Sequence, residues 1–222
     1  MNIYLLLLIS TFISYLLASF PSGVIISQTF FKKDIRTLGS GNTGVTNVGR
    51  MLGWKAGLAV LILDLSKSIG GPLIAYFLTN NVTGELATLM PSLAVYLAGL
   101  GTALGHSYPI FANFKGGKAV SSLGGFLLTT NWLIAIVTLT YFLIFVKIKK
   151  WVSVGSMTGA VLSILLSLLY WFIPDFTFGM WPYVEGGMYF TFTLVLLTLL
   201  LIYRHKDNIL RLAKGKENKV KW

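Results

Sequence analysis

Long apolar runs recur along this chain near 3–27, 56–78, 91–111, 119–131, 132–147, 152–173 and 187–203. A run of about eighteen or more such residues is long enough to cross a bilayer as a helix. Lipid offers no partner to backbone N–H and C=O groups, so a spanning segment must satisfy its own hydrogen bonds. No period-two alternation of apolar and polar residues marks the strands of a membrane barrel. The pattern predicts an all-α membrane protein, a polytopic bundle of about seven transmembrane helices in a single domain over 1–222. Only Thr129-Thr130-Asn131-Trp132 divides 119–131 from 132–147, and the alternative merges the two into one tilted or re-entrant element.

Charge orients the bundle. With the N-terminus outside, the inward loops hold Lys32, Lys33, Arg36, Arg50, Lys55, Lys115, Lys118, Lys147, Lys149 and Lys150. The tail adds Arg204, Lys206, Arg211, Lys214, Lys216, Lys219 and Lys221, which leaves Lys67 alone inside a span. The outward loops hold no Lys or Arg and carry Glu85, Asp175 and Glu185. Cytoplasmic loops are enriched in Lys and Arg, so the C-terminus is expected in the cytoplasm and the span count is odd. The first apolar run lacks the positive n-region and small-residue cleavage pattern of a signal peptide and is expected to be retained. The net charge of +11 sits at the ends of apolar spans, which argues against nucleic-acid binding.

Three polar islands interrupt this pattern, in the loops 28–55 and 112–118 and in the tail 204–222. The first contains Gly39, Ser40, Gly41, Asn42, Thr43, Gly44, Thr46, Asn47 and Arg50. Its GxGxxG spacing with Asp64 twenty residues on mimics a dinucleotide fingerprint, but a membrane span precedes it and no βαβ unit exists. The phosphate chemistry survives: glycines let backbone N–H groups approach an anion, and Arg50 can grip a phosphate with two prongs. The second island places Gly105-His106 and Pro109 ahead of Phe114-Lys115-Gly116-Gly117-Lys118. There a turn can cradle an anion with backbone donors while two lysines supply charge. In the third, Arg204, Asn208 and Arg211 share one face at helical spacing, with His205 beside them. A surface helix on anionic headgroups explains its lysines equally well.

Asp64 and Lys67 lie within a span, three residues apart, where they can pair on one helix face. An intramembrane charge costs about 2.5–3.5 kcal/mol on insertion scales and marks a site or a helix lock. The spacings Gly53/Gly57, Gly101/Gly105 and Gly155/Gly159 suit close helix packing. No cysteine is present, and the two histidines are about a hundred residues apart, so neither a metal site nor a cofactor is expected.

Together the islands resemble the integral membrane acyl-phosphate:glycerol-3-phosphate acyltransferases of bacteria. That family's motifs match Ser40-Gly41-Asn42, Gly44, Asn47 and Arg50; Gly105-His106, Pro109 and 114–118; then Arg204-His205, Asn208-Ile209, Arg211-Leu212, Gly215 and Glu217. Asp64 with Lys67 fits as well. Thr43, Val45 and 119–122 depart from the family pattern without removing a charged group.

The resemblance implies transfer of a fatty acyl group from acyl phosphate to the first hydroxyl of glycerol 3-phosphate, giving lysophosphatidic acid and inorganic phosphate. It implies catalytic roles for Ser40, Arg50, Lys118, His205 and Asn208. Substrate binding falls to Gly41, Asn42, Gly44, Asn47, Lys115, Gly116, Gly117, Arg204 and Arg211, with Asp64, Lys67 and His106 in support. The setting is a bacterial plasma membrane with the site on the cytoplasmic face. The partners are the two substrates, membrane lipids and an enzyme that produces acyl phosphate. No Ser-His-Asp arrangement is assignable, so His205 or a substrate phosphate oxygen takes the hydroxyl proton. A transporter of organic phosphate is the rival; it predicts inverted repeats, and no clear repeat is visible. A non-catalytic scaffold leaves the islands unexplained.

Overall fold

The structure, a computed structural model, describes residues 3–83, 89–173 and 177–220. Among them the secondary structure is helical, apart from one isolated bridge between Asn131 and Met180. Glu85, Asp175 and Lys221, used above to orient the chain, lie outside the described residues.

The first expected span runs as one continuous candidate from Ile3 to Phe31, with a local interruption of the helix. Helix α1 (Ile3–Ala18) ends ahead of Pro21, and α2 (Ser22–Phe31) resumes beyond it. Proline has no N–H to continue the ladder. Helix α3 (Val45–Leu52) meets α4 (Trp54–Thr79) at Gly53, whose φ of +98° needs a residue without Cβ. Helix α5 (Leu89–Ser107) packs against both α1 and α4 to form the innermost layer. Small residues let these backbones touch. A Cβ on Gly101 or Gly105 would fall 2.7 or 2.2 Å from the α1 carbonyls of Thr11 and Tyr15. One on Gly57 would lie 2.8 Å from the Cα of Gly49. Of the expected packing glycines, Gly53 instead serves the turn.

Helix α6 (Val120–Thr130) lies on α4 and leads through Asn131 into α7 (Trp132–Lys149). The side chain of Asn131 caps α7 by accepting from the Ile134 N–H at 2.9 Å. Helix α8 (Val152–Ser167) pairs with α7, and a short α9 (Leu169–Phe172) follows it. Helix α10 (Met188–Arg204) closes the bundle against α8 and α5. A 58° bend then separates it from α11 (Lys206–Ala213).

Five helical segments among the described residues are long and apolar enough to span a membrane, or six if α10 and α11 count as one. The chain is thus a multi-pass membrane protein. The expected count of seven is not reached by length, because α6 has 11 residues and rises only about 16 Å of a ~30 Å core. It is a helix distinct from α7, with Asn131 alone between them.

The end of the bundle away from the polar islands is sealed. Tyr183 donates its hydroxyl to the Thr129 carbonyl at 2.8 Å, and the Trp181 indole donates to the Leu128 carbonyl at 2.8 Å. The Glu185 N–H donates to Ser92 Oγ at 3.0 Å. Beneath them Tyr96, Phe126 and Phe190 form an aromatic core with ring centroids about 6 Å apart.

Candidate active site

A cavity of about 470 Å³ opens between α4, α6, α7 and α8. Its apolar lining includes Leu61, Leu65, Leu123, Leu127, Ala135 and Phe142. Its polar lining brings together Ser40, Asn42, Gly44, Asn47, Arg50, Asp64, His106, Lys118, His205, Asn208 and Arg211. All three islands therefore meet on one space. Of the other expected site residues, Gly41, Gly116, Gly117 and Arg204 do not line it, Lys67 lines a smaller neighbouring pocket, and Lys115 is exposed away from it.

The first island is folded around Asn47. Its carboxamide oxygen accepts from the Ser40 N–H at 3.0 Å, and its Nδ2 donates to the carbonyls of Leu38 and Asn42 at 3.0 and 2.9 Å. Both ends of that side chain are thus spent on the loop, which is the physical reason Asn47 is buried and shapes the site. Asn42 closes its own turn by accepting from the Gly44 N–H at 2.9 Å. This framework leaves the Ser40 hydroxyl and the Arg50 guanidinium exposed, with no hydrogen-bond partner among the described residues.

The second island differs from the expected anion cradle. Gly117 N–H is already committed to the His106 carbonyl at 2.9 Å. The turn presents carbonyls instead: Arg204 donates from Nε to Gly117 O at 3.0 Å and from its terminal nitrogen to Gly116 O at 3.1 Å. The same guanidinium lies 4.8 Å over the Tyr108 ring. Asn42 Nδ2 reaches Gly116 O at 3.4 Å from the first island. Only Lys118 projects from this turn toward the cavity.

Lys118 donates to Asn208 Oδ1, and Asn208 Nδ2 donates to Glu217 Oε1 at 2.7 Å. Glu217, whose side chain is 5% exposed, also accepts from Ser153 Oγ at 2.7 Å and from Arg211 Nε at 3.0 Å. Burial works to raise the Glu217 pKa, but the bonds from Asn208, Ser153 and Arg211 outweigh it and hold the carboxyl below its ordinary value. Burial, with Arg211 nearby, pushes Lys118 down to about 8. The bend after α10 means that Arg204 is not on one helix with Asn208 and Arg211, so the expected common face is replaced by convergence around the turn.

His205 sits at this bend, 3% exposed. Its Nδ1 lies 2.8 Å from the Leu201 carbonyl, which can only accept, so Nδ1 carries the proton. Nε2 then holds a lone pair, 3.5 Å from Ser156 Oγ. Burial lowers the pKa to about 4, so the ring is neutral near pH 7.

Sequence reasoning gave no site role to Glu217, Ser153 or Ser156. Its match to the third motif of the resembled family was the available signal for Glu217. The serines carried none, since they lie in an ordinary apolar segment.

A family model, glycerol-3-phosphate acyltransferase, matches residues 8–215. The chain belongs to this family. A glycerol-3-phosphate acyltransferase of Listeria monocytogenes serotype 4a is 36% identical over 222 residues, all of both chains. One from Staphylococcus aureus (strain bovine RF122 / ET3-1) is 36% identical over 98% of this chain and 100% of its own. Among solved structures, PlsY in its glycerol 3-phosphate form is similar with a TM-score of 0.79 and 31% identity, over 96% of this chain and 95% of that one. Its lysophosphatidic acid form gives a TM-score of 0.75 over 96% and 94%. The relatives are matched over nearly their whole lengths.

Proposed function

We propose that this chain is a glycerol-3-phosphate acyltransferase that takes its acyl group from acyl phosphate. It forms lysophosphatidic acid and releases inorganic phosphate, feeding phospholipid synthesis. One observation carries the assignment: a single cavity joins an apolar lining suited to an acyl chain with a cationic polar lining suited to two phosphates. The solved PlsY relatives are described in glycerol 3-phosphate and lysophosphatidic acid forms, the acceptor and product of this reaction.

Acyl phosphate is a mixed anhydride, so its carbonyl is already activated and phosphate departs as the leaving group. The protein's task is to place the acceptor hydroxyl and to neutralise developing charge. Arg50 and the Ser40 hydroxyl hold one phosphate at the loop side of the cavity. Lys118, aligned by Asn208, meets the other. Neutral His205 offers Nε2 to the attacking hydroxyl, or a substrate phosphate oxygen takes that proton.

The chain works as a seven-helix bundle in the bacterial plasma membrane, with α6 as a shielded half-span. Its N-terminus is outside, and its polar islands and C-terminus face the cytoplasm. The distribution of Lys and Arg supports this orientation. A cytoplasmic site also faces the water-soluble acceptor and an enzyme that supplies acyl phosphate.

The direct experiment incubates purified protein in detergent with glycerol 3-phosphate and palmitoyl phosphate. Lysophosphatidic acid and inorganic phosphate appear in equal amounts. If none forms, and acyl-CoA and acyl carrier protein donors also fail, the chain is not this acyltransferase.

A further inference from the structure

His106 lies in α5, buried beneath the Gly116–Gly117 turn, beside the Asp64–Lys67 ion pair. Lys67 Nζ is 2.8 Å from Asp64 Oδ1 and donates to the Phe20 carbonyl at 2.8 Å, at the break between α1 and α2. It also reaches Ser22 Oγ at 3.3 Å. The Asp64 oxygen that meets Lys67 lies 3.8 Å from His106 Nδ1. The break between α1 and α2 thus holds Lys67 against Asp64, and Asp64 flanks the imidazole.

The turn rests directly on that ring. Neither Gly116 nor Gly117 has a positive φ, so no backbone conformation demands glycine there. Space does. A Cβ on Gly117 would fall 1.9 Å from His106 Nε2 and 2.6 Å from Cε1, and one on Gly116 would fall 2.1 Å from the His106 carbonyl. Nε2 thus faces the turn, and Nδ1 faces Asp64 at 3.8 Å.

We propose that His106, braced by Asp64 and Lys67, is a positioning residue for Lys118. Its ring and carbonyl form the bed on which the Gly116–Gly117 backbone lies, and this bed sets where Lys118 enters the cavity. The intramembrane charges therefore serve the reaction through the turn. The proposal rests on the acyltransferase function above.

The test is a compensation experiment. Gly117→Ala overpacks the turn against the ring and lowers kcat/KM roughly 10–100-fold. His106→Ala lowers kcat/KM and moves the alkaline limb of the pH profile, because Lys118 is displaced. The double variant recovers most of the loss caused by Gly117→Ala, since the ring that clashed is gone. His106→Asn replaces His106→Ala if the latter fails to fold. A double variant as weak as Gly117→Ala alone, or a His106→Ala enzyme with wild-type kcat/KM and pH profile, overturns the proposal. Thermal midpoints of the same four proteins report the clash without any activity. A wild type inactive on all donors thus defeats the acyltransferase function, while compensation in the midpoints still upholds the bed beneath the turn.

Discussion

Arg204 binds Gly117 across 87 positions of sequence, its Nε donating to the glycine carbonyl at 3.0 Å. The contact joins the tail to the middle island and holds the same turn that lies on His106. Such a clamp fixes the turn that carries Lys118.

Arg204→Ala removes two charge-assisted bonds, each worth about 1.5–3 kcal/mol. We expect kcat/KM to fall at least roughly tenfold, measured as lysophosphatidic acid formation in detergent. Arg204→Lys recovers little, because a point cation cannot reach both carbonyls and stack on Tyr108. Full activity of the lysine variant contradicts the clamp.

Lys118, lowered to about 8 by burial and Arg211, loses its charge as pH rises through that value. The kcat/KM profile of the wild type should therefore bend downward near pH 8. A profile flat to pH 10 rules out a role for the charged amine.

His205, lowered to about 4 by burial, stays neutral from pH 5 upward. No inflection near 6.5 should appear on the acid side of the profile. His205→Gln lowers kcat about 10²–10⁴-fold if Nε2 is the base. Near-normal rates assign the proton to a substrate phosphate oxygen.

Against the opposing effect of burial, hydrogen bonds from Asn208 and Ser153, with Arg211, hold the Glu217 carboxyl below its ordinary value. Its contribution to stability is complete above that ordinary value and is lost as pH falls through the lower folded one. Thermal midpoints in detergent should drop below pH 4.5, and Glu217→Gln should flatten that drop. An unchanged acid limb in the variant separates Glu217 from the stability of the tail.

Much of this was legible in sequence because it is local. Apolar runs announced the helices, and the spacing of Asp64 and Lys67 announced their ion pair, found at 2.8 Å. What escaped depends on how each group is spent in the folded chain, against near and distant partners alike. The 116–117 glycines read as an anion nest, yet their place is set by His106 and by Arg204, some ninety residues later. Asn47 read as a ligand, but its amide is consumed by the loop it folds. Pro21 interrupts the helix locally, yet the first span persists as one segment, as its apolar run announced.

Arg50 is exposed at the cavity with no partner among the described residues. The proposed function gives its guanidinium to a substrate phosphate. The decisive measurement is the steady-state rate of Arg50→Ala with glycerol 3-phosphate and palmitoyl phosphate, beside its thermal midpoint. We expect kcat/KM to fall by roughly a hundredfold or more, as when a charge-stabilising donor is removed, with the midpoint unchanged. Wild-type kinetics in Arg50→Ala would contradict a phosphate site in this cavity.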